Sequence, residues 1–141
     1  MRYGKVGLTE YDRARATPGF TLFSPLQIPV AYLMGMRGEV VHRWNLDAPT
    51  GNYGYLLPSG NLLAAVKTET GPKGLSAQGG RIQELDWDGN LAWEYVDHYQ
   101  HHDFRRCANG NTVYLGWELL SAEAAGRVKG GVPGSEHEDG I

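Results

Sequence analysis

Residues 36–44 read MRGEVVHRW, and residues 87–95 read WDGNLAWEY. Setting Gly38 on Gly89 places Val40 on Leu91, Val41 on Ala92 and Trp44 on Tyr95, an offset of 51 residues. Further along, LLPSGNLLA at 56–64 aligns with RCANGNTVY at 106–114 by setting Gly60 on Gly110, an offset of 50. Asn61 then falls on Asn111, Leu62 on Thr112 and Leu63 on Val113. Two independent alignments with nearly the same shift define an internal period. A weaker echo, PGFTLFSP at 18–25, puts Pro18-Gly19 at the turn position before Phe20-Thr21-Leu22-Phe23.

Each unit reads as four short strands. In the complete copy the first covers about 53–58 and ends in the turn Pro58-Ser59-Gly60-Asn61; the second covers about 61–66. A long loop, 67–79, leads to a third strand at about 81–87, where Ile82, Glu84 and Asp86 alternate with Gln83, Leu85 and Trp87. Asp88-Gly89 reads as a two-residue hairpin turn of type I′, followed by a fourth strand at about 91–96. Four antiparallel strands repeated every fifty residues or so are the pattern of a β-propeller blade. A β-sandwich predicts no such fixed offset, and the GH…WD pattern of WD40 blades is absent. The expected fold is therefore all-β: an N-terminal segment, 1–17, then a partial propeller over 18–141 with units at about 18–52, 53–101 and 102–141, the last incomplete. That is about two blades, whereas closed rings have about 4–8. Open edges would remain. The expectation is an N-terminal fragment of a longer chain, or a chain that needs other copies to close its ring.

Composition agrees. At 141 residues the chain has the length of one domain, and 13 Lys plus Arg against 16 Asp plus Glu leave a net charge of −3. That balance excludes binding to nucleic acid through a general basic field. Hydrophobic residues make up 41%, enough for a packed core, and the 20 glycines suit many tight turns. The lone cysteine, Cys107, excludes an internal disulfide framework and a cysteine-based zinc cage; it reads as a half-buried strand thiol. Met1-Arg2-Tyr3-Gly4-Lys5 has no apolar stretch behind it, and no run approaches the ~18 apolar residues of a membrane span. A soluble, cytoplasmic protein without a membrane partner is expected.

In an up-and-down blade the tight turns PSGN, WDGN, ANGN and MRGE share one end, and the longer connections share the other. The connections are 67–79, 97–102 and 118–140, which carry Lys67, Lys73, His98, His101, His102, Glu118 and His137. Function tends to sit on long loops held by a rigid scaffold. The link 97–102 runs from an outermost strand to an innermost one, so His101, His102 and Asp103 are expected beside a central channel, with Arg105 and Arg106 pointing to opposite faces. The matching positions of the preceding unit are Gly51, Asn52 and Tyr53, so the histidines are not scaffold. Paired imidazoles can move protons, act as nucleophiles, or bind a metal together with Asp103 and His137; the plainer role is a bond to a backbone carbonyl. Arg105 and Arg106 would hold an anion's oxygens or form ion pairs between blades. His42 is expected on the surface, His98 in a solvated loop, and Trp44, Trp87, Trp93 and Trp117 in blade packing. GlyProLysGly at 71–74 lacks the spacing of a phosphate loop.

Together, GFTLFSP, MRGEVVHRWNL, LLPSGNLL, WDGNLAWEY and HHDFRRCANGNTVYL resemble the arylsulfotransferase family over about residues 18–117. The resemblance implies a six-bladed propeller that moves a sulfuryl group from a phenolic sulfate ester to a phenol through a histidine intermediate. It implies no cofactor and no metal. His102, with His101, matches the family's channel histidines in HHDF, while the nucleophile itself lies further along, beyond Ile141. Arg105, Arg106 and His137 become candidates for holding sulfate oxygens, and Tyr53 or Tyr99 for stacking on a phenol ring. The implied partners are a phenolic sulfate, a phenol and the remaining blades. The alternative is a non-catalytic propeller that binds a ligand or a protein on its loop-rich face; a metal-dependent hydrolase is a weaker third reading.

Overall fold

The structure is a computed structural model that describes residues 7–72 and 78–129. His137 and Lys73, two of the expected functional residues, lie outside them. Among the described residues the chain is all-β apart from one short helix. Its strands are β1 (Thr21–Phe23), β2 (Val30–Met34), β3 (Val40–Asn45), β4 (Thr50–Leu56), β5 (Leu62–Lys67), β6 (Gly80–Leu85), β7 (Leu91–Val96), β8 (Gln100–Arg106) and β9 (Thr112–Gly116). The helix, α1 (Ala122–Ala125), lies in a stretch expected as loop; the Ser121 hydroxyl accepts the Ala124 N–H at its start. The strands form three antiparallel meanders, β1-β2-β3, β4-β5-β6-β7 and β8-β9.

The hairpin turns explain these boundaries. In each of 35–39, 57–61, 86–90 and 107–111 the fourth residue is a glycine whose N–H bonds the carbonyl of the first, while the first residue's N–H bonds the carbonyl of the fifth. Those glycines, Gly38, Gly60, Gly89 and Gly110, have φ between 82° and 90°. This is a type I turn closed by a left-handed glycine, a three-residue hairpin with a bulge. It corrects the type I′ turn expected at Asp88-Gly89. Type I′ needs positive φ at both central residues, and Asp88 does not adopt it. Cys107 is the first residue of its turn, not part of a strand.

Strand register recurs along the chain. Ala31 pairs with Trp44 and Leu33 with His42; fifty-one residues later Ile82 pairs with Tyr95 and Glu84 with Trp93. Both hairpins shift register at matching points, Leu33/Met34 and Glu84/Leu85. Gly54–Ala64 and Leu56–Leu62 have Phe104–Tyr114 and Arg106–Thr112 as counterparts fifty residues on. There too the first strand carries a matching irregularity, Thr50/Gly54 and His101/Phe104.

The four-stranded sheet lies between the other two. Strand β5, LLAAV before its final lysine, is buried throughout because it is covered on both faces. Leu62, Ala64 and Val66 meet Ala31, Leu33 and Trp44 of the first sheet. Leu63 and Ala65, the alternate residues, join Ile82 and Phe104 on the side of the third. The flanking sheets approach most closely around β4, which lies beside both β1 and β8. The Trp44 indole N–H bonds the Asp86 carbonyl at 2.8 Å and ties the first sheet to the β6–β7 turn. His42, expected on the surface, is instead half-buried, stacked on Trp87 at 3.9 Å and set edge-on to Trp44 at 4.3 Å. A face-to-edge aromatic cluster takes the imidazole out of water, and strand position alone gives no sign of it.

Candidate functional site

The start of β8 brings the expected histidines together. Between His101, opposite Leu115, and Phe104, opposite Tyr114, β8 holds two more residues than its partner strand, so His102 and Asp103 form a bulge. His102 has φ 50°, one of two left-handed non-glycine residues among those described. Holding a non-glycine residue in that conformation costs free energy, and such positions cluster at sites where the surrounding structure over-determines the backbone. Here the bulge turns the two imidazoles toward each other, Nδ1 to Nδ1 at 2.8 Å. The rings are perpendicular, 5.1 Å apart.

One proton lies in an Nδ1–Nδ1 bond, so one ring donates and the other accepts. A neutral pair therefore leaves the donor's Nε2 bare. A singly charged pair makes the donor an imidazolium with Nε2–H. A second added proton would break the bond. Trp117 stacks on His101 at 4.4 Å. Burial, and then repulsion from His102, pulls the His101 pKa below its ordinary value. The Trp117 main chain is anchored by its backbone N–H, which donates to the Tyr99 carbonyl at 2.9 Å.

The surrounding connections pack onto the same end. Gln100 is 1% exposed and its side-chain carbonyl accepts the Gly80 N–H at 3.1 Å. A Cβ on Gly79 would lie 1.8 Å from that oxygen, which is why a glycine stands there. His98 is not a solvated loop residue: it is half-buried with Nδ1 3.1 Å from the Thr68 hydroxyl, so it joins the long loop to the link. The Tyr114 hydroxyl donates to Asp97 at 2.8 Å; its pKa is raised by bonding to Tyr95 first and Asp97 second.

The two arginines separate. Arg105 is exposed, donates to the Tyr53 hydroxyl at 2.6 Å, and lies 5.3 Å and 5.0 Å from the Tyr53 and Tyr55 ring centres. That hydrogen bond is the main reason its pKa is raised. Arg106 is committed elsewhere: it pairs with Glu84 at 3.1 Å and covers the Trp93 ring at 4.5 Å. Of the two roles open to these residues, Arg106 takes the ion pair between sheets. Tyr53, a candidate for stacking on a phenol, holds Arg105 and packs edge-on to Phe104 at 5.4 Å; Tyr99 is exposed beside the link.

A shallow groove of about 250 Å³ lies between Asp103, Arg105, Val113 and Leu115. Among the described residues no three His, Cys, Asp or Glu side chains gather as a metal site would need, so His101, His102 and Asp103 do not form one by themselves. The Trp117 stack was missed in sequence: four tryptophans suited packing equally well, and nothing local distinguishes the one that covers a histidine. No family model, curated protein or solved structure matches the chain.

Proposed function

We propose that the chain is part of an arylsulfotransferase-like β-propeller and contributes an acid–base pair and a cation to sulfuryl transfer between phenols. The propeller reading draws support from packing. The first and second sheets meet through Ala31, Leu33, Trp44, Leu56 and Ala64. The counterparts by register, Ile82, Glu84, Tyr95, Arg106 and Tyr114, join the second sheet to the third. One step of the same kind relates each sheet to the next, as radial repetition requires.

The observation that carries the chemistry is the Nδ1–Nδ1 contact of His101 and His102 at 2.8 Å, a hydrogen bond that holds one proton between two rings. Sulfuryl transfer, like phosphoryl transfer, has a loose transition state with charge on the peripheral oxygens. Arg105, exposed and held by Tyr53, is a positioned cation for those oxygens. As the ester S–O bond breaks and the sulfuryl group passes to a histidine of another unit, the leaving phenolate takes the proton from Nε2–H of the charged pair. The pair is then neutral, with a bare Nε2. That nitrogen accepts the proton of the incoming phenol as its oxygen bonds sulfur and the S–N bond breaks. The charged pair is restored, and atoms and protons balance over the cycle.

In the assembled protein, transfer from p-nitrophenyl sulfate to a phenol is followed by release of p-nitrophenolate. His102→Ala lowers turnover at least about tenfold, the lower end of what a positioned acid–base group contributes. Unchanged turnover in that variant would sink the assignment.

A further inference from the structure

Among the described residues the stack of three sheets leaves two faces uncovered by a further sheet, and they carry the two halves of one kind of interface. On the far side of the third sheet, Val113 and Leu115 are 56% and 52% exposed. Their counterparts by register in the middle sheet, Leu63 and Ala65, are fully buried, because the third sheet covers them. The surface that receives a sheet at Leu63 is thus repeated at Val113, where it receives none among the described residues. The groove between Asp103, Arg105, Val113 and Leu115 lies in it.

The first sheet offers the matching half. Leu22 pairs with Leu33 and Phe23 with Tyr32, as Leu63 pairs with Glu84 and Ala64 with Gln83. Phe23 therefore stands where Ala64 stands in the second sheet and Tyr114 in the third. Ala64 and Tyr114 are what those sheets present to the sheet before them. Phe23, 40% exposed and packed on Tyr32 at 5.4 Å, is the same presentation with no sheet before it among the described residues.

We propose that the third sheet of one copy receives the first sheet of a second copy, head to tail, so that the chain associates with itself through the same sheet-on-sheet step it uses internally. The occupant follows from continuity with the two internal interfaces. A second copy brings a face whose exposed aromatic sits at the register position the receiving face already accommodates within the chain. Such a contact is heterologous, and heterologous contacts close into rings when the rotation per step allows. Two copies bring six sheets, inside the range of closed propellers of about 4–8 blades. The inference does not depend on the sulfuryl-transfer reading.

The test uses the chain itself, its mass in solution followed by light scattering from about 1 to about 100 μM, where micromolar interfaces respond. The expected mass is that of two chains at the upper end. F23E removes one half of the interface and L115R the other, and each variant alone is expected to have the mass of one chain. Mixed in equal amounts they are expected to regain the mass of two, since each keeps one intact half. Both positions are exposed, so the β-sheet circular dichroism of the wild type is expected in both; V113K replaces L115R should that variant unfold. A wild-type chain that stays single at the highest concentration assigns the face to another occupant, such as a further sheet of a longer polypeptide, and overturns the proposal. So does self-association of F23E alone, which would mean a symmetric contact between two third sheets.

Discussion

At the scale of single residues, proton affinity and partner choice separate side chains that look alike in sequence. His101 and His102 are neighbours, yet His101 is the one covered by Trp117, and burial lowers its pKa. Because its folded-state pKa is depressed, its contribution to stability is present above the ordinary histidine value of about 6.5 and is lost as pH falls below it, through the lower folded value. A plot of thermal midpoint against pH is expected to fall over that window. His101→Gln is expected to flatten the fall, and an unchanged slope would show that other groups set it. Arg105 and Arg106 are likewise adjacent and unlike. Arg106→Ala removes an ion pair with Glu84 and a cover on Trp93, both mostly shielded from water, and is expected to cost about 1–3 kcal/mol in urea denaturation. Arg105→Ala, at an exposed site, is expected to stay within about 0.5 kcal/mol. Equal losses would remove the distinction between the structural arginine and the one free to face a ligand.

At the scale of elements, the hairpins are set by turn chemistry that the sequence displays openly. Gly60, Gly89 and Gly110 each occupy a left-handed position in a three-residue turn. Gly89→Ala is expected to destabilise by about 1–2 kcal/mol, the cost of a Cβ in that region, whereas Gly89→Asn is expected to cost less because Asn tolerates it. Chemical denaturation of the two variants checks the order. The turn positions were legible because glycine and asparagine recur at fixed spacing; the turn type was not. Asp-Gly suits both type I′ and a type I turn with a bulge, and the choice depends on which residues of the flanking strands pair. The bulge at His102-Asp103 was equally hidden. Nothing in HHDF marks the second histidine as left-handed; the bulge shows only in how β8 pairs with β9, and β4 carries a matching irregularity against β5.

At the scale of the molecule, stability rests on the doubly covered strand β5. Leu62→Ala leaves a cavity between two sheets and is expected to cost about 2–5 kcal/mol. Ala64→Leu adds volume where Gly54 and the first sheet already press, and is expected to cost about 1–3 kcal/mol by overpacking. Urea midpoints measure both; a neutral Leu62→Ala would mean that the sheets are not closely packed there. The two interfaces also show how one packing step accepts different chemistry. Trp44 beside Ala64 becomes Tyr95 beside Tyr114, and apolar Leu33 and Leu56 become the ion pair of Glu84 and Arg106. Net charge is conserved across the contact, not within either strand, so a repeat judged by residue identity alone looks weaker than its packing.

The all-β class, the placing of the hairpins and the residues that cluster near the start of β8 were determined by the sequence itself, because glycine spacing and alternation are local consequences of backbone sterics and of the two-residue period of a strand. Only the tertiary structure decided that His42 lies between two tryptophans, that Arg106 is bound to Glu84 while Arg105 stays open to solvent, and that His101 and His102 face each other Nδ1 to Nδ1. Those outcomes depend on contacts between residues far apart in the chain, or on a backbone bend set by the pairing of one strand with another. No local pattern can encode either.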